Sequence, residues 1–245
     1  MNKKDPFNNP IRPLVALRAL RKLIADPDKT EEVFVIISAL SGNSRNRAFE
    51  RFRSTPTGKK ILREERDILT VLRDRERLER MPPASLGKTY SEFMSNEQIS
   101  ADGLVGASEL GSRPQDPGEI DRLRFGVRVR DMHDLWHVAT GYNRDLVGEA
   151  CLLAFTYAQL HDRGIGLIVA MAWLRGGRFP GARKIIRQGY QRGARAAWLP
   201  GVDWEALLSR PLLEVRAELG LGDPPSYDER RSNEGKTALA SRQAA

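Results

Sequence analysis

The chain has 245 residues, of which 40% are hydrophobic and 7% aromatic, and its formal net charge is +8. This hydrophobic content supplies a core and excludes a disordered chain, and the scarcity of aromatic residues beside plentiful Leu, Ala, Arg and Glu argues against an all-β fold. A single cysteine, Cys151, excludes an intrachain disulfide framework, and the longest apolar run, residues 165–174, is about half as long as a membrane-spanning helix.

The first predicted elements are helices that follow a loose lead at residues 1–9. Apolar residues recur at helical spacing from Pro13 onward, which predicts an amphipathic helix that the DPDKT break ends. Thr30 is the candidate N-cap of the next, short and buried helix. After a turn at Pro56, residues 61–81 are predicted to form one long, charged, amphipathic helix.

The later elements are also predicted to be helical. Ser85 is a candidate cap for the helix KTYSEFMSNEQI, and the segment 101–122 is a Gly-, Pro- and Asp-rich candidate for an exposed excursion. The predicted helices that follow residue 149 are two consecutive apolar helices at 150–164 and 165–177, a basic helix at 181–199 and two short closing helices within 199–221. We therefore predict a single multi-helix, all-α domain over residues 10–222 and a disordered tail over residues 223–245.

Two of the three histidines lie in the stretch HDLWHVATGYNRDLVGE, residues 133–149. His133 and His137 are four residues apart, so on a helix both imidazoles lie on one face, as in helical zinc sites. The following GYN breaks this helix, and Glu149 then falls in about the first turn of the next helix, with Asp145 or Asn143 as its cap. If that helix folds back, its carboxylate faces both imidazoles.

A metal site between two helices is one reading of this pattern. Asp134 is a fourth candidate, either as a ligand or as the acceptor that fixes an imidazole tautomer. Imidazole and carboxylate ligands suit Zn, Fe(II), Mn or Co, and the residue types do not choose among them. The alternative is that the two histidines are core residues with this spacing by chance.

Other polar features have simpler interpretations. His161 ends an apolar helix, where it can satisfy terminal carbonyls, and Cys151 is expected to be inert core. Residues 163–202 contain eight Arg or Lys and no acid. They form either a solvated basic face or the rim of an apolar pocket that holds an anionic headgroup or a membrane surface. No nucleic-acid-binding motif accompanies them, so no nucleic acid is expected.

The pattern H-D-x-x-H, eleven residues, then Glu resembles the signature of the coenzyme Q biosynthesis protein 4 family. Here it reads His133, Asp134, His137 and Glu149. The flanking segments SLGKTYSEFM, LIVAMAWLRGG and VDWEALLSRPLLEVRAELGL are also similar to the family. The resemblance covers roughly residues 14–222.

The resemblance implies an all-helical protein that is peripheral to a membrane and acts in ubiquinone biosynthesis. It implies a metal, described as zinc, with His133, Asp134, His137 and Glu149 as metal ligands and catalytic residues. It further implies binding of long isoprenoid lipids and removal of the C1 carboxyl of a polyprenylated 4-hydroxybenzoate ring, with hydroxyl in its place. An organising role in the complex of ubiquinone-synthesis proteins is also implied.

This chemistry is compatible with the ligand types. A phenol that carries a carboxylate could bind an open metal, whose Lewis acidity stabilises charge as the C1–carboxyl bond breaks. If C1 also gains hydroxyl from oxygen, a redox-active ion such as Fe is needed and Zn is insufficient. We expect the prenyl tail to lie in an apolar helix pair within residues 146–174, with Leu153 and Phe155 as lipid-binding residues.

Several alternatives remain open at this point. The protein could be a non-catalytic, isoprenoid-binding scaffold with a structural metal. It could also be a metallohydrolase, in which Asp134 stands where zincins carry a catalytic Glu, although Asp is short for that role. Because the chain starts almost at the first family helix, we expect a bacterial cytoplasmic protein on the inner membrane. Numerous apolar helical faces favour a homodimer.

Overall fold

The computed structural model of the protein describes residues 10–27, 29–99 and 117–230, apart from the side chains of Pro117 and Arg178. The predicted lead at residues 1–9 lies outside the described residues. The predicted exposed excursion spans residues 101–122. Residues 117–122 belong to a helix, and residues 101–116 lie outside the described residues. The predicted tail is described as far as residue 230.

The predicted all-α class is confirmed, because the described residues form helices and turns with no β-strand. The helices are α1 (Pro13–Ala25), α2 (Thr30–Leu40), α3 (Ser44–Ser54), α4 (Pro56–Arg63), α5 (Ile68–Arg73), α6 (Arg75–Glu79), α7 (Leu86–Asn96), α8 (Pro117–Asp131), α9 (His133–Thr140), α10 (Leu146–Leu160), α11 (Arg163–Arg175), α12 (Ala182–Arg195), α13 (Trp204–Leu207) and α14 (Leu212–Glu218), with 3-10 turns at Gly176–Arg178 and Leu199–Gly201.

The helices are distributed over two compact units of the chain. The first unit contains α3 to α9, α13 and α14, and the second contains α1, α2, α10, α11 and α12. The described end of the chain, residues 224–230, belongs to the second unit.

The prediction of one long helix over residues 61–81 is wrong, because the chain forms three short helices there. Asp67 caps α5 by accepting a hydrogen bond from the amide of Leu69 at 2.9 Å, and Asp74 caps α6 by accepting one from Arg77 at 3.1 Å. Glu65, before α5, has a positive φ of 49°. Aspartate side chains compete for backbone amides, so two of them restart a helix where the apolar period alone predicts continuity.

Aromatic packing forms part of the core of the first unit. The rings of Phe52 in α3 and Phe125 in α8 lie 4.9 Å apart. Trp204, at the start of α13, is fully buried and donates its indole N–H to the carbonyl of Leu199 at 3.0 Å. Burial of such large rings is the main stabilising contribution of a core of this kind.

A buried ion pair joins α8 to α13 in the same unit. Arg128 is 3% exposed, and its two terminal nitrogens donate to the two carboxylate oxygens of Glu205, both at 2.6 Å. This bidentate geometry compensates for the loss of water around both charges. The pair therefore fixes α8 shortly before the chain enters α9.

In the second unit, α1, α2 and α11 share an apolar cluster built from Ala19, Leu20, Ile36 and Ile168. Lys22 reaches across to the buried carboxylate of Glu32 at 2.7 Å. Thr30, predicted as the N-cap of α2, is instead the first helical residue, and Lys29 occupies the N-cap position.

The helices α10 and α12 approach each other so closely that their backbones touch. A Cβ atom on Gly189 of α12 would lie 2.5 Å from the carbonyl oxygen of Cys151, and one on Gly193 would lie 2.5 Å from that of Phe155. Only glycine leaves room at these two positions, which are one helical turn apart.

Candidate metal centre

The helix α9 carries both histidines of the predicted site and is almost completely surrounded by protein. All its residues from Asp134 to Thr140 are buried, and His137 is only 1% exposed. Within the first unit it packs against α7 and α14. A helix that is buried on every side normally lacks polar residues, because their desolvation is costly. The two imidazoles and the carboxylate on α9 therefore indicate a functional site.

The end of α9 is fixed by a glycine and by an arginine. Gly141 adopts the left-handed conformation, with φ of 77°, and its amide closes the helix on the carbonyl of His137. Arg216 in α14 donates to the carbonyls of Ala139 at 3.0 Å and Val138 at 2.9 Å. A cation on these last carbonyls complements the helix dipole and holds α9 in place.

The two imidazoles meet at their Nε2 atoms. The distance between Nε2 of His133 and Nε2 of His137 is 3.3 Å, with the ring planes at 89°. Two ring nitrogens at this distance need a proton or a cation between them, because two lone pairs would otherwise face each other. For two nitrogens bound tetrahedrally to one ion at about 2.0–2.1 Å, the separation is about 3.3–3.4 Å.

Glu149 lies in the first turn of α10, as predicted, and Asp145 is the N-cap. The Oδ1 atom of Asp145 accepts a hydrogen bond from the amide of Val147 at 3.0 Å. The Glu149 carboxylate is about one-third exposed and lies 3.7 Å from the Nε atom of Arg144.

His133 and His137 lie in the first unit and Glu149 lies in the second. Their side chains supply the imidazole and carboxylate ligands that metal sites use. Among the described residues, these three form the candidate ligand group for a metal ion. The donor set therefore fits a divalent metal.

Asp134 is not part of that three-residue group. It is buried, and its charge raises the pKa of the Tyr90 hydroxyl in α7, although burial of the phenol is the larger cause. Its predicted role as a fourth ligand stays a prediction.

Three residues of the helices that contact α9 were not identified as candidate site residues from the sequence. Phe93 in α7 stacks on the ring of His137, with centroids 5.9 Å apart. Burial raises the pKa of Tyr90, which keeps its hydroxyl protonated at neutral pH. Asp131 is buried beside Arg130, and burial raises the pKa of its carboxyl group. The apolar pattern of α7 and the ends of α8 gave no signal that these side chains face α9.

The predicted lipid-binding residues belong to the packed interior of the second unit. Phe155 is fully buried, and Leu153 is partly buried against the cluster of α1, α2 and α11. Their role as lipid-binding residues stays a prediction. His161 ends α10 in the left-handed conformation, and its amide, rather than its exposed ring, satisfies the carbonyl of Tyr157 at 2.8 Å.

The basic segment lines a cavity of about 800 Å³ in the second unit. Lys184 and Arg187 from the first half of α12 and Arg230 from the end of the described chain contribute cations to its lining, and Phe179 contributes an exposed ring. Within the described residues, no helix has the length and apolar content that crossing a membrane requires.

Comparison with known proteins gives a consistent assignment. The model of the family described as "Coenzyme Q (ubiquinone) biosynthesis protein Coq4" matches residues 3–106 and 124–225 of this chain. A mitochondrial ubiquinone biosynthesis protein COQ4 of Arthroderma otae is 31% identical over 184 residues, which are 73% of this chain and 65% of that protein. The corresponding Yarrowia lipolytica protein is 28% identical over 194 residues, 76% of this chain and 70% of that protein.

A solved structure confirms the fold. The crystal structure of a candidate ubiquinone biosynthesis protein from Nostoc punctiforme superimposes with a TM-score of 0.62, at 20% identity, over 86% of this chain and 99% of that one. The chain thus spans nearly all of that structure but only about two-thirds of the Arthroderma otae protein.

Proposed function

The chain belongs to the coenzyme Q (ubiquinone) biosynthesis protein Coq4 family, and we propose on that premise that it acts in ubiquinone biosynthesis as a metal-dependent decarboxylase. The substrate is a polyprenylated 4-hydroxybenzoate-derived precursor, whose C1 carboxyl is replaced by hydroxyl. The observation that carries the proposal is the pair of Nε2 atoms of His133 and His137, which lie 3.3 Å apart on the buried helix α9. Glu149 is proposed as the third ligand.

The proposed reaction balances with dioxygen as the oxidant. The bond from C1 to the carboxyl carbon breaks and carbon dioxide leaves, while a bond from C1 to a hydroxyl oxygen forms. The ring gives up two electrons in this exchange. If water supplies the oxygen atom, dioxygen accepts these two electrons and becomes hydrogen peroxide.

The residues around the centre have defined tasks in this proposal. His133, His137 and Glu149 would hold the ion, which when bound supplies Lewis acidity and, for iron, manganese or cobalt, redox chemistry. Phe93 excludes water from one face of His137 and restricts the rotation of its ring. Tyr90 keeps its proton on Oη, because burial raises its pKa, and so remains a hydrogen-bond donor.

Metal content tests the proposal most directly. Protein purified without oxygen is expected to contain about one equivalent of iron, manganese, cobalt or zinc, and His137→Ala is expected to lose it. His161→Ala is the matched control, because His161 is exposed and lies outside the three-ligand group. Equal metal content in the wild type and His137→Ala, or none in the wild type after reloading, would overturn the site.

Turnover separates catalysis from a scaffold role. The isolated protein with metal and dioxygen is expected to release carbon dioxide from the precursor. The scaffold is the second candidate function, and it is favoured by the 800 Å³ cavity of the second unit, which is large enough for part of a lipid. A metal-loaded protein that binds isoprenoid but releases no carbon dioxide would establish the scaffold instead.

The prenyl tail is proposed to lie along α10 and α11, with Leu153 and Phe155 against it. The apolar faces of these helices support this placement. Phe155 is fully buried, so its replacement would disrupt the core, whereas Leu153 is only partly buried. Leu153→Asp is therefore the informative variant, and unchanged isoprenoid in the purified variant would refute the placement.

The protein is proposed to sit on the cytoplasmic face of a bacterial inner membrane. Three apolar side chains support membrane contact through the end of α11: Trp173 is 42% exposed, Leu174 54% and Phe179 41%. Arg183 lies over the ring of Trp173 at 4.7 Å, so aromatic and basic groups occur together as in interfacial proteins. Contacts with other ubiquinone-synthesis proteins and a homodimer are further proposals.

Vesicle binding tests this surface. Vesicles that contain anionic lipid are expected to sediment the protein more strongly than neutral vesicles, and Trp173→Ala is expected to weaken that binding. Leu213→Ala is the matched control, because Leu213 is 72% exposed but lies in the first unit, in α14. Equal sedimentation of the two variants would contradict the assignment of the surface.

A further inference from the structure

We infer that residues 224–230 form a strap that fixes the first turn of α10 and thereby positions Glu149, with Tyr227 as the positioning residue. The inference rests on the proposed metal centre for its consequence, but the strap itself rests on contacts within the second unit. The family match ends at residue 225, so the contacts made by residues 227–230 lie beyond it.

The strap supplies two of the three hydrogen bonds at the carboxylate of Asp145, the N-cap of α10. The Tyr227 hydroxyl donates to Oδ2 at 2.9 Å, and the amide of Arg230 donates to Oδ1 at 2.9 Å. The third donor is the amide of Val147. Asp145 is only 3% exposed, so these neutral donors replace water around a buried carboxylate.

The strap also satisfies backbone groups at the start of the helix. The amide of Leu146 donates to the carbonyl of Arg230 at 2.8 Å, and the amide of Asn143 donates to the Tyr227 hydroxyl at 2.9 Å. The first amides of a helix have no partner within the helix, so an external acceptor is needed when they are buried. The strap therefore acts as a second cap beside Asp145.

The strap also contacts the residue that precedes Glu149. A Cβ atom on Gly148 would come within 2.5 Å of the Tyr227 hydroxyl oxygen. Burial and the neighbouring Asp145 carboxylate raise the pKa of Tyr227, so its hydroxyl keeps the proton that it donates. Because the Glu149 amide closes the first helical turn on the carbonyl of Asp145 at 2.8 Å, any shift of Asp145 moves Glu149 as well.

The consequence for the centre is a carboxylate that is already placed for binding. A ligand whose backbone is fixed loses less conformational freedom when an ion binds, and residues that orient ligands typically change metal affinity about 10- to 100-fold. Removing one hydroxyl from the strap leaves the other contacts in place. We therefore expect an effect near the lower end of that range.

The test is Tyr227→Phe in the full chain, with Tyr190→Phe as the matched control. Tyr190 lies on α12 in the same unit and is 41% exposed. In metal-free protein, Tyr227→Phe is expected to raise the hydrogen-exchange rates of the Leu146, Val147 and Glu149 amides about tenfold, as the loss of a hydrogen bond to a carboxylate implies. Tyr190→Phe is expected to leave these rates unchanged.

The second measurement is cobalt(II) affinity, followed by visible absorption well below the unfolding temperature. Tyr227→Phe is expected to weaken it about tenfold. Unchanged amide exchange in Tyr227→Phe would overturn the strap, and faster exchange with unchanged cobalt affinity would overturn its positioning of Glu149. If the wild type binds no cobalt while the amides respond as expected, the metal centre fails and the strap contact stands.

Discussion

The buried pair of Arg128 and Glu205 predicts a large loss of stability from a single truncation. The guanidinium of Arg128 is only 3% exposed, and in Glu205→Ala its remaining polar contact among the described residues is to the carbonyl of Val202 at 3.5 Å. Breaking a buried pair by removing one partner costs about 3–5 kcal/mol. Because Glu205 is itself 14% exposed, water can partly replace it, and we expect about 3 kcal/mol.

An exposed pair of the same length provides the control. Arg53 and Glu50 are also 2.6 Å apart, but their side chains are 57% and 46% exposed. Solvent screens such pairs, so Glu50→Ala is expected to cost less than about 1 kcal/mol. The two pairs have the same N···O distance and differ in burial and in the number of contacts, since the exposed pair has one contact and the buried pair has two.

Urea unfolding followed by far-ultraviolet circular dichroism measures both free energies of unfolding. The double variant Arg128→Met/Glu205→Leu is expected to recover most of the loss, since two apolar groups leave no unpaired charge. If Glu205→Ala and Glu50→Ala cost the same within about 0.5 kcal/mol, burial does not set the energy of this pair and the reasoning is wrong.

Three further predictions follow from local contacts. Gly148→Ala places a Cβ against the carbonyl oxygen of Asn143 and 2.5 Å from the Tyr227 hydroxyl, and it is expected to lower the melting temperature. Gly126→Ala, with nothing within 4 Å, is expected to stabilise α8 by about 0.5–1 kcal/mol, and equal shifts in thermal unfolding would contradict this. Burial raises the pKa of Cys151, so the thiol is expected to resist iodoacetamide until urea unfolds the protein, and rapid alkylation of the folded protein would refute this. The free energy of unfolding is expected to fall above about pH 8.5, because there only the thiol of the unfolded chain ionises. Arg216→Ala removes two hydrogen bonds to the end of α9 and is expected to cost about 2 kcal/mol in urea unfolding, while Arg210→Ala, on an exposed arginine, is expected to cause no measurable change.

The parts of the site that follow local rules were predictable from the sequence. The spacing of His133 and His137 places both on one face of a helix whatever surrounds it. Gly141 and Asp145 have the residue types that end and begin helices, and the structure uses them in these roles. Glu149 therefore lies in the first turn of α10, four residues after the N-cap Asp145, as predicted.

The remaining parts depend on contacts between distant segments. Tyr90 comes near Asp134 and Asp131 because α7 and α8 pack against α9, and no local period encodes that arrangement. Tyr227 lies in a polar stretch whose composition predicts disorder, and the stretch is bound to Asp145 by the Tyr227 hydroxyl and the Arg230 amide. Hydrogen bonds to a buried carboxylate are strong enough to order residues 227–230 although the composition of this stretch is polar.

The contact of α10 with α12 through Gly189 and Gly193 constrains how this protein can change during evolution. Where backbones touch, the spacing between two helices is set by atoms that every residue type shares. Substitutions on the outer faces of either helix can then accumulate without altering that spacing. A relative could therefore exchange the basic residues of α12 for others, adapting to a different surface or lipid, while the helix that carries Glu149 keeps its place.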